Sequence, residues 1–306
     1  MEAPAKGTCP AEDVTSRGQA AVATSREYIG CNLCGGDATR RVAAQRGFEI
    51  QRCCACGLVY VHPRPTAEQL AALYAGYHAR DGANAGSWDR LMSRVFGEAA
   101  DLLCGTRKTS GSGRVLDVGC GFGGFVDLMR TRGWDAEGVD PSQAVVDAAR
   151  RNGRPVRLGT LEAFSADAGP YDAITMFYVL EHLPDPMGAL RKSFDLLVPG
   201  GTLVMRVPHT TPIVRLLAPV GCGGELYDPP FHLYDFAPPV LQEMLRRVGF
   251  VDIRTFPGQP TVPSRPGPRV AASFFGAVAT WLHTLTGGAL LLPGVSKTTL
   301  ARKPVR

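Results

Sequence analysis

The sequence has no N-terminal basic region leading into an apolar stretch, so no secretory signal is expected and the expected setting is cytoplasmic. It has no framework of evenly spread cysteine pairs. Its nine cysteines include two C-x-x-C pairs, which fit thiols and metal in a reducing compartment better than disulfides. It also has no strong charge excess. A net charge of +5 is compatible with nucleotides, phosphates or anionic lipid as partners without demanding them. Long apolar runs are scarce. The one stretch free of Asp, Glu, Lys and Arg, 270–296, is long enough to consider as a membrane span, but Gly287-Gly288 and Pro293 interrupt it. It reads as an amphipathic or buried helix inserted before a last strand, with peripheral membrane contact through 270–296 as the secondary reading.

What remains is an ordinary soluble composition, 45% hydrophobic and 20% charged, over 306 residues. That length has room for one large core and a small appendage, about two domains. Residues 1–27 are rich in Ala, Thr, Ser and Gly without periodicity and read as a disordered leader, in which Cys9 is a bystander.

At 28–63 stand Cys31-Asn32-Leu33-Cys34-Gly35 and, eighteen residues on, Cys53-Cys54-Ala55-Cys56-Gly57. Two such pairs match a four-thiolate structural zinc site of Cys31, Cys34, Cys53 and Cys56. Glycine after each pair suits a knuckle turn, and Cys54 falls outside the spacing. Rubredoxin-like iron stays open on ligand type alone. Residues 64–112 read as a helical linker and cap. Thr66-Ala67-Glu68-Gln69 forms a capping box for a helix to about 79, striped by Leu70, Leu73, Tyr74 and Tyr77, and a second helix covers 88–103.

From 113 to 306, short apolar runs alternate with helical periodicity. Strands are expected at 115–118, 136–139, 156–158, 172–177, 202–207, 251–255 and 298–302. Helices are expected at 125–132, 142–151, 186–197 and 239–248. This is an α/β pattern, a mostly parallel seven-stranded sheet with helices on both faces, whose ligands bind beyond the carboxyl ends of the strands.

The first of these strands runs into Asp117-Val118-Gly119-Cys120-Gly121-Phe122-Gly123-Gly124. Strand, glycine loop and helix start place unpaired N–H groups over a ligand. Read literally, the glycine spacing also fits a dinucleotide fingerprint. Asp117 breaks that tie, since a carboxylate there would repel a pyrophosphate but suits an ammonium group. Asp140 ends the next strand, nineteen residues after Gly121, where an acid can accept both hydroxyls of a ribose or cap the helix that follows.

Together these runs resemble motif I and the following elements of class I S-adenosylmethionine (SAM)-dependent methyltransferases. The fourth-strand region 171–186, which contains Phe177-Tyr178-Val179-Leu180-Glu181-His182-Leu183-Pro184, resembles the branch that acts in ubiquinone biosynthesis and in sugar and polysaccharide tailoring. The resemblance implies a Rossmann-like SAM-binding domain with Asp117, Gly119, Cys120, Gly121, Gly123, Asp140, Pro141, Leu161, Glu162 and Phe177 at the cofactor. Glu181 then opens toward the acceptor and His182 is the base that takes a hydroxyl proton. His232, in a segment that crosses above the active site in that family, is a second base candidate. Tyr77, His209 and Tyr234 are candidates for the substrate pocket, and His209 stands where the family usually has asparagine. His62 and His283 read as structural.

The function expected is methylation of a small-molecule acceptor, O-methylation favoured. C-methylation of a nucleotide sugar is an alternative, because zinc-ribbon methyltransferases of that kind share the Cys pairs and the Glu-His element. They typically carry a further C-terminal domain, for which little chain follows the last strand. RNA methylation is a second alternative, and nucleic acid is not the expected partner. The Asn/Asp-Pro-Pro-Tyr/Phe run of amino-group base methylases is missing after the fourth strand, and the ribbon has no dense basic patch interleaved with aromatics. A non-catalytic SAM-binding scaffold is the third.

Overall fold

A computed structural model describes residues 26–75, 84–106, 112–164, 169–217, 226–292 and 296–305. The N-terminal part contains β1 (Arg26–Glu27), β2 (Thr39–Gln45), β3 (Phe48–Cys53), β4 (Val59–Val61) and β5 (Arg64–Pro65). Two helices follow, α1 (Ala67–Ala75) and α2 (Ala85–Thr106). The capping box forms in both directions: Thr66 N–H donates to Gln69 Oε1 at 3.2 Å and Gln69 N–H to Thr66 Oγ1 at 3.5 Å. Helix α2 starts three residues ahead of the expected 88 because Asn84 Oδ1 accepts from Ser87 N–H at 3.0 Å and caps it.

The catalytic-sized part alternates β6 (Arg114–Val118), α3 (Gly124–Thr131), β7 (Asp135–Asp140), α4 (Gln143–Arg151), β8 (Val156–Leu158), β9 (Tyr171–Phe177), α5 (Pro186–Leu196) and β10 (Leu197–Val207). Then come α6 (Thr211–Leu217), β11 (Tyr234–Asp235), α7 (Pro238–Val248), β12 (Val251–Pro257), α8 (Pro266–Leu285) and β13 (Lys297–Arg302). Seven strands form one sheet in the order β12-β13-β10-β9-β6-β7-β8, in which only β13 runs against its neighbours. This is the expected α/β architecture. Central strands are buried on both faces and read as unbroken apolar runs. Ala173, Ile174, Thr175 and Met176 of β9 are all fully enclosed. Each amphipathic helix turns one stripe inward, as α3 does with Phe125, Val126 and Met129.

The ribbon is not a separate body. Strand β11, which follows β10 by some thirty residues, pairs antiparallel with β4 and becomes the edge of the ribbon sheet β11-β4-β3-β2. Cys31, Leu33, Cys53, Leu58 and Tyr60 share one hydrophobic cluster with Leu116, Ile174, Leu190 and Leu241. Polar ties reinforce this seam. Asn32 bridges Asp185 and the N–H of Met187 (2.8 and 2.9 Å), Arg64 reaches Pro184 O (2.6 Å), and Arg247 reaches Leu33 O (3.0 Å). A boundary at residue 63 would cut through this packing.

The insertion before the last strand is helical, but it is neither buried nor amphipathic in the usual sense. Its large apolar side chains face outward, and only Gly276 and Ala279 are buried.

Candidate active site

The site lies at the carboxyl ends of β6, β7, β9 and β10 and has two halves. In the first, the loop after β6 is fixed by its backbone. Gly119 N–H and Cys120 N–H both donate to Val139 O (2.8 and 3.1 Å), and Gly121 N–H donates to Asp140 Oδ2 at 3.0 Å. Asp140 Oδ1 accepts from Ser142 N–H at 2.9 Å, so the carboxylate ties the glycine loop to the start of α4. Gly119 has φ 63°, and a Cβ there would stand 2.5 Å from Val179 Cγ2. Only glycine allows that approach.

Asp117 is buried beneath this loop rather than standing at its mouth, and Thr175 Oγ1 donates to it at 2.6 Å. Burial pushes its carboxyl up to about 7, and the nearby Asp140 charge adds to the rise against the lowering bond from Thr175. The Cys120 side chain also turns into the core, against Gly138, which leaves only its backbone toward the loop. Phe177 does not line the cavity. Its ring packs edge-on against Phe125 and Phe96, with centroids 4.9 and 5.2 Å away. Strand alternation explains the shift, because the outward position falls beyond it, where Tyr178 takes φ 59° and Val179 meets the glycine loop. Leu161 is buried in the main core and Glu162 is exposed on a short turn after β8; Pro141 is exposed beside Asp140.

The second half gathers Glu181, His182 and His232, each of which offers a ligand atom within 4.8 Å of the others'. The two imidazoles meet edge to face at 4.8 Å. His182 Nδ1 lies 2.9 Å from Phe231 O and 2.9 Å from Tyr74 Oη, while Tyr74 itself donates to Phe231 O. A carbonyl can only accept, so the Phe231 contact calls for a proton on Nδ1, while Tyr74 Oη can serve the same nitrogen as donor or acceptor. Glu181 is fully enclosed, and neither carboxyl oxygen has a hydrogen-bonding side chain against it among the described residues. Burial drives it up to about 8, with the Asp235 charge adding, so it is protonated at neutral pH. Burial alone brings His232 down to about 4, leaving it neutral.

Of the remaining substrate candidates, His209 stands just past β10, largely buried and outside this group. Its pKa is lowered by burial against the pull of Asp235. Tyr234 lines a small cavity together with His232, Tyr60 and Pro208. Its ring stacks between Tyr60 and Phe236, and its hydroxyl bonds Arg64 (3.2 Å) and Pro184 O (3.1 Å) at the ribbon seam. Tyr77 lies outside the described residues.

Three residues escaped the sequence reading. Trp88 on α2 hangs over Gly121, its Nε1 3.6 Å from where a Cβ would be. Tyr74 holds His182, and its only sequence signal was a place in the helical stripe of α1. Arg206, 2% exposed, donates to Tyr178 Oη (2.8 Å), Thr298 Oγ1 (3.1 Å) and Gln259 O (2.7 Å) behind the Tyr178 backbone. An arginine inside the apolar run 203–207 was its visible sign.

The four ribbon cysteines converge as well. Cys31 and Cys56 sulfurs are 3.4 Å apart, Cys34 and Cys53 sulfurs 3.5 Å, and all four lie within 4.8 Å of one another. A tetrahedral ion with ~2.3 Å bonds needs sulfurs about 3.8 Å apart, so the set fits closely. Burial raises the Cys53 thiol, but N–H groups of Cys56 and Ala55 outweigh it and bring it down to about 7. Such donors favour a thiolate. Cys54 is exposed and apart from them.

A family described as a methyltransferase domain matches residues 87–254, more than half of the chain, and the chain belongs to that family. Curated relatives include the ubiquinone biosynthesis O-methyltransferases of Xanthomonas campestris pv. campestris and Xanthomonas axonopodis pv. citri. The first is 36% identical over 115 residues, 35% of this chain and 48% of the relative. The second is 37% identical over 147 residues, 44% and 62% respectively. The chain thus spans about half the length of the curated relatives it matches. The fold is shared with a chain from the complex of the Haloferax volcanii Trm112 methyltransferase activator and a methyltransferase, at TM-score 0.53 and 17% identity over 77% of this chain and 97% of that one. It is also shared with the magnesium protoporphyrin IX methyltransferase of Synechocystis PCC 6803, solved with SAH, at TM-score 0.51 and 16% identity over 76% and 99%.

Proposed function

We propose that this chain binds SAM on the 119–124 loop and transfers its methyl group to a hydroxyl of a small-molecule acceptor. SAM would supply a methyl group already activated on a sulfonium. The residues that fit it are the loop N–H groups and the α3 N-terminus, Asp140 for the ribose, Asp117 for the ammonium group, and the turn at Leu161 and Glu162 for the adenine. Asp117 favours a cation, since pairing with an ammonium group offsets the burial that keeps it protonated.

The observation that carries O-methylation is the contact of His182 Nδ1 with Phe231 O. With the proton held there, Nε2 would be the atom that takes the hydroxyl proton of the acceptor. The neutral Glu181 lies beside His182 and adds no charge that would compete for the proton. His232 packs edge-on against His182 and restricts its ring. In-line alignment of donor and acceptor is the rest of the work. We further propose that the four thiolates hold a structural zinc ion, because a site closed by four protein ligands has no open position for chemistry.

Titration calorimetry with SAM and, separately, NAD tests the cofactor. Micromolar SAM affinity, weakened in Asp117→Ala and Asp140→Ala, is the expected result. Absence of SAM binding by folded, metal-loaded protein overturns the reading. Label transfer to hydroxylated acceptors, lost in His182→Ala with SAM affinity retained, tests the base.

A further inference from the structure

Helix α8 is built inside out. Gly276 and Ala279 face the protein, where a Cβ on Gly276 would stand 3.0 Å from Pro260, and Ser273 accepts a 2.9 Å bond from Arg94 on α2. The opposite face carries Val270, Phe274, Trp281 and Leu285, which recur at helical spacing and are 62–70% exposed; Phe275 flanks them at 60%. The helix of twenty residues is about 30 Å long, and the stripe from Val270 to Leu285 covers about 22 Å of it. After the turn at Gly287 and Gly288, Leu290 extends it, 42% exposed. Single exposed leucines need no explanation, but a continuous aromatic stripe of this length marks a contact surface.

The charge around it points to the occupant. No Asp or Glu follows Asp252, whereas that final stretch holds Arg254, Arg265, Arg269, Lys297, Arg302, Lys303 and Arg306. Arg265 and Arg269 are exposed at the head of the stripe. On neighbouring α2, Glu98 is engaged by Gln259 N–H and Asp101 by Arg132. No helix among the described residues is long and apolar enough to cross a membrane, so at a bilayer the stripe would lie along the surface. The helix leaves β12 at Pro257 and returns to β13 at Lys297, which pairs with Val207 at the end of β10. That is the sheet edge bearing the glycine loop and the Glu181 cluster.

We propose that α8 is a membrane-docking helix, seated with Phe274, Trp281 and Leu285 in the interface of an anionic bilayer and Arg265 and Arg269 on its headgroups. Docking is independent of the reaction and would hold for a chain with another chemistry.

The test is co-flotation of the full purified chain with vesicles of phosphatidylcholine alone or with phosphatidylglycerol added. Binding is expected to be at least about tenfold stronger on the anionic vesicles and to weaken with salt. Phe274→Ser with Trp281→Ser should abolish it while thermal melting is unchanged, and Arg265→Gln with Arg269→Gln should weaken it several-fold. Lipids brominated along the acyl chain should quench Trp281 in the wild-type chain, and Trp281→Phe should keep flotation but lose the quenching. Equal flotation on neutral and anionic vesicles, or none on either, overturns the proposal. So does a concentration-dependent dimer that Trp281→Ser dissolves, which would make the stripe an interface between copies.

Discussion

The two halves of the site are built on different principles. The cofactor half is local: a strand, a loop with three glycines at positive φ, and a helix start, all within about a dozen residues and closed by Asp140. The acceptor half is assembled from afar. His182 takes its orientation from Tyr74 on α1 and from the carbonyl of Phe231. Leu233 then links Glu181 O (2.8 Å) to Val61 of the ribbon (2.9 Å). The glycine-loop half is held by backbone geometry, whereas the His182 half is tied by backbone hydrogen bonds to the ribbon that carries the four thiols. On the proposed function, the ribbon would thereby position the residues that meet the acceptor.

The largest effect that would break this contrast is expected from Cys53→Ser. Structural zinc sites contribute about 10–16 kcal/mol in small modules, so loss of the ion should lower the melting temperature strongly. Hydrogen exchange should then show protection lost at 26–65 and 231–235 before 114–140. Metal loss with 231–235 still protected would mean that the ribbon does not hold the acceptor half. Next in size, Gly119→Ala should weaken SAM binding at least about 100-fold, ~3 kcal/mol, since its Cβ meets Val179 at 2.5 Å. Metal content should be unchanged.

His182→Ala should reduce turnover by about 100- to 10,000-fold with SAM affinity intact, which separates the halves kinetically. A smaller effect is expected with pH. Asp117 and Glu181 hold protons more tightly folded than unfolded, with values of about 7 and 8. Their contribution to stability is therefore whole below the ordinary carboxylate range and declines as pH rises toward those values. SAM affinity should move the other way, rising through pH 7 as Asp117 ionises, and Asp117→Asn should flatten that profile in calorimetry. Smallest, Tyr234→Phe should cost about 1 kcal/mol for its lost hydrogen bonds and leave the Michaelis constant for the acceptor unchanged. A marked rise in that constant would make Tyr234 an acceptor-binding residue.

What was legible in the sequence follows the same division. Motif I, Asp140, the two C-x-x-C pairs and the alternation of strands and helices are short-range patterns, and the structure forms the strands, the glycine loop and the four-thiol cluster where they are expected, with Asp117 buried beneath the loop. Phe177 was misplaced because a strand's last residue and the residue after it face opposite ways, so one position of error exchanges core for cavity. The ribbon contacts of Tyr234 were not legible because nothing local shows that residues 234 and 235 extend a sheet begun at residue 39. Tyr74 and Trp88 lay on helices whose stripes signal packing without saying against what.

The sequence by itself determined the seven-stranded α/β sheet, the glycine loop with its two acids, and the four-thiol cluster, because each rests on backbone freedom or ligand spacing within a few residues. Only the tertiary structure decided the rest. It set the partners of the His182 ring, enclosed the Glu181 carboxyl, fused ribbon to core through β11, and turned the aromatic face of α8 outward. Those features depend on which distant groups share a low-dielectric interior and which remain in water, and that is settled by packing.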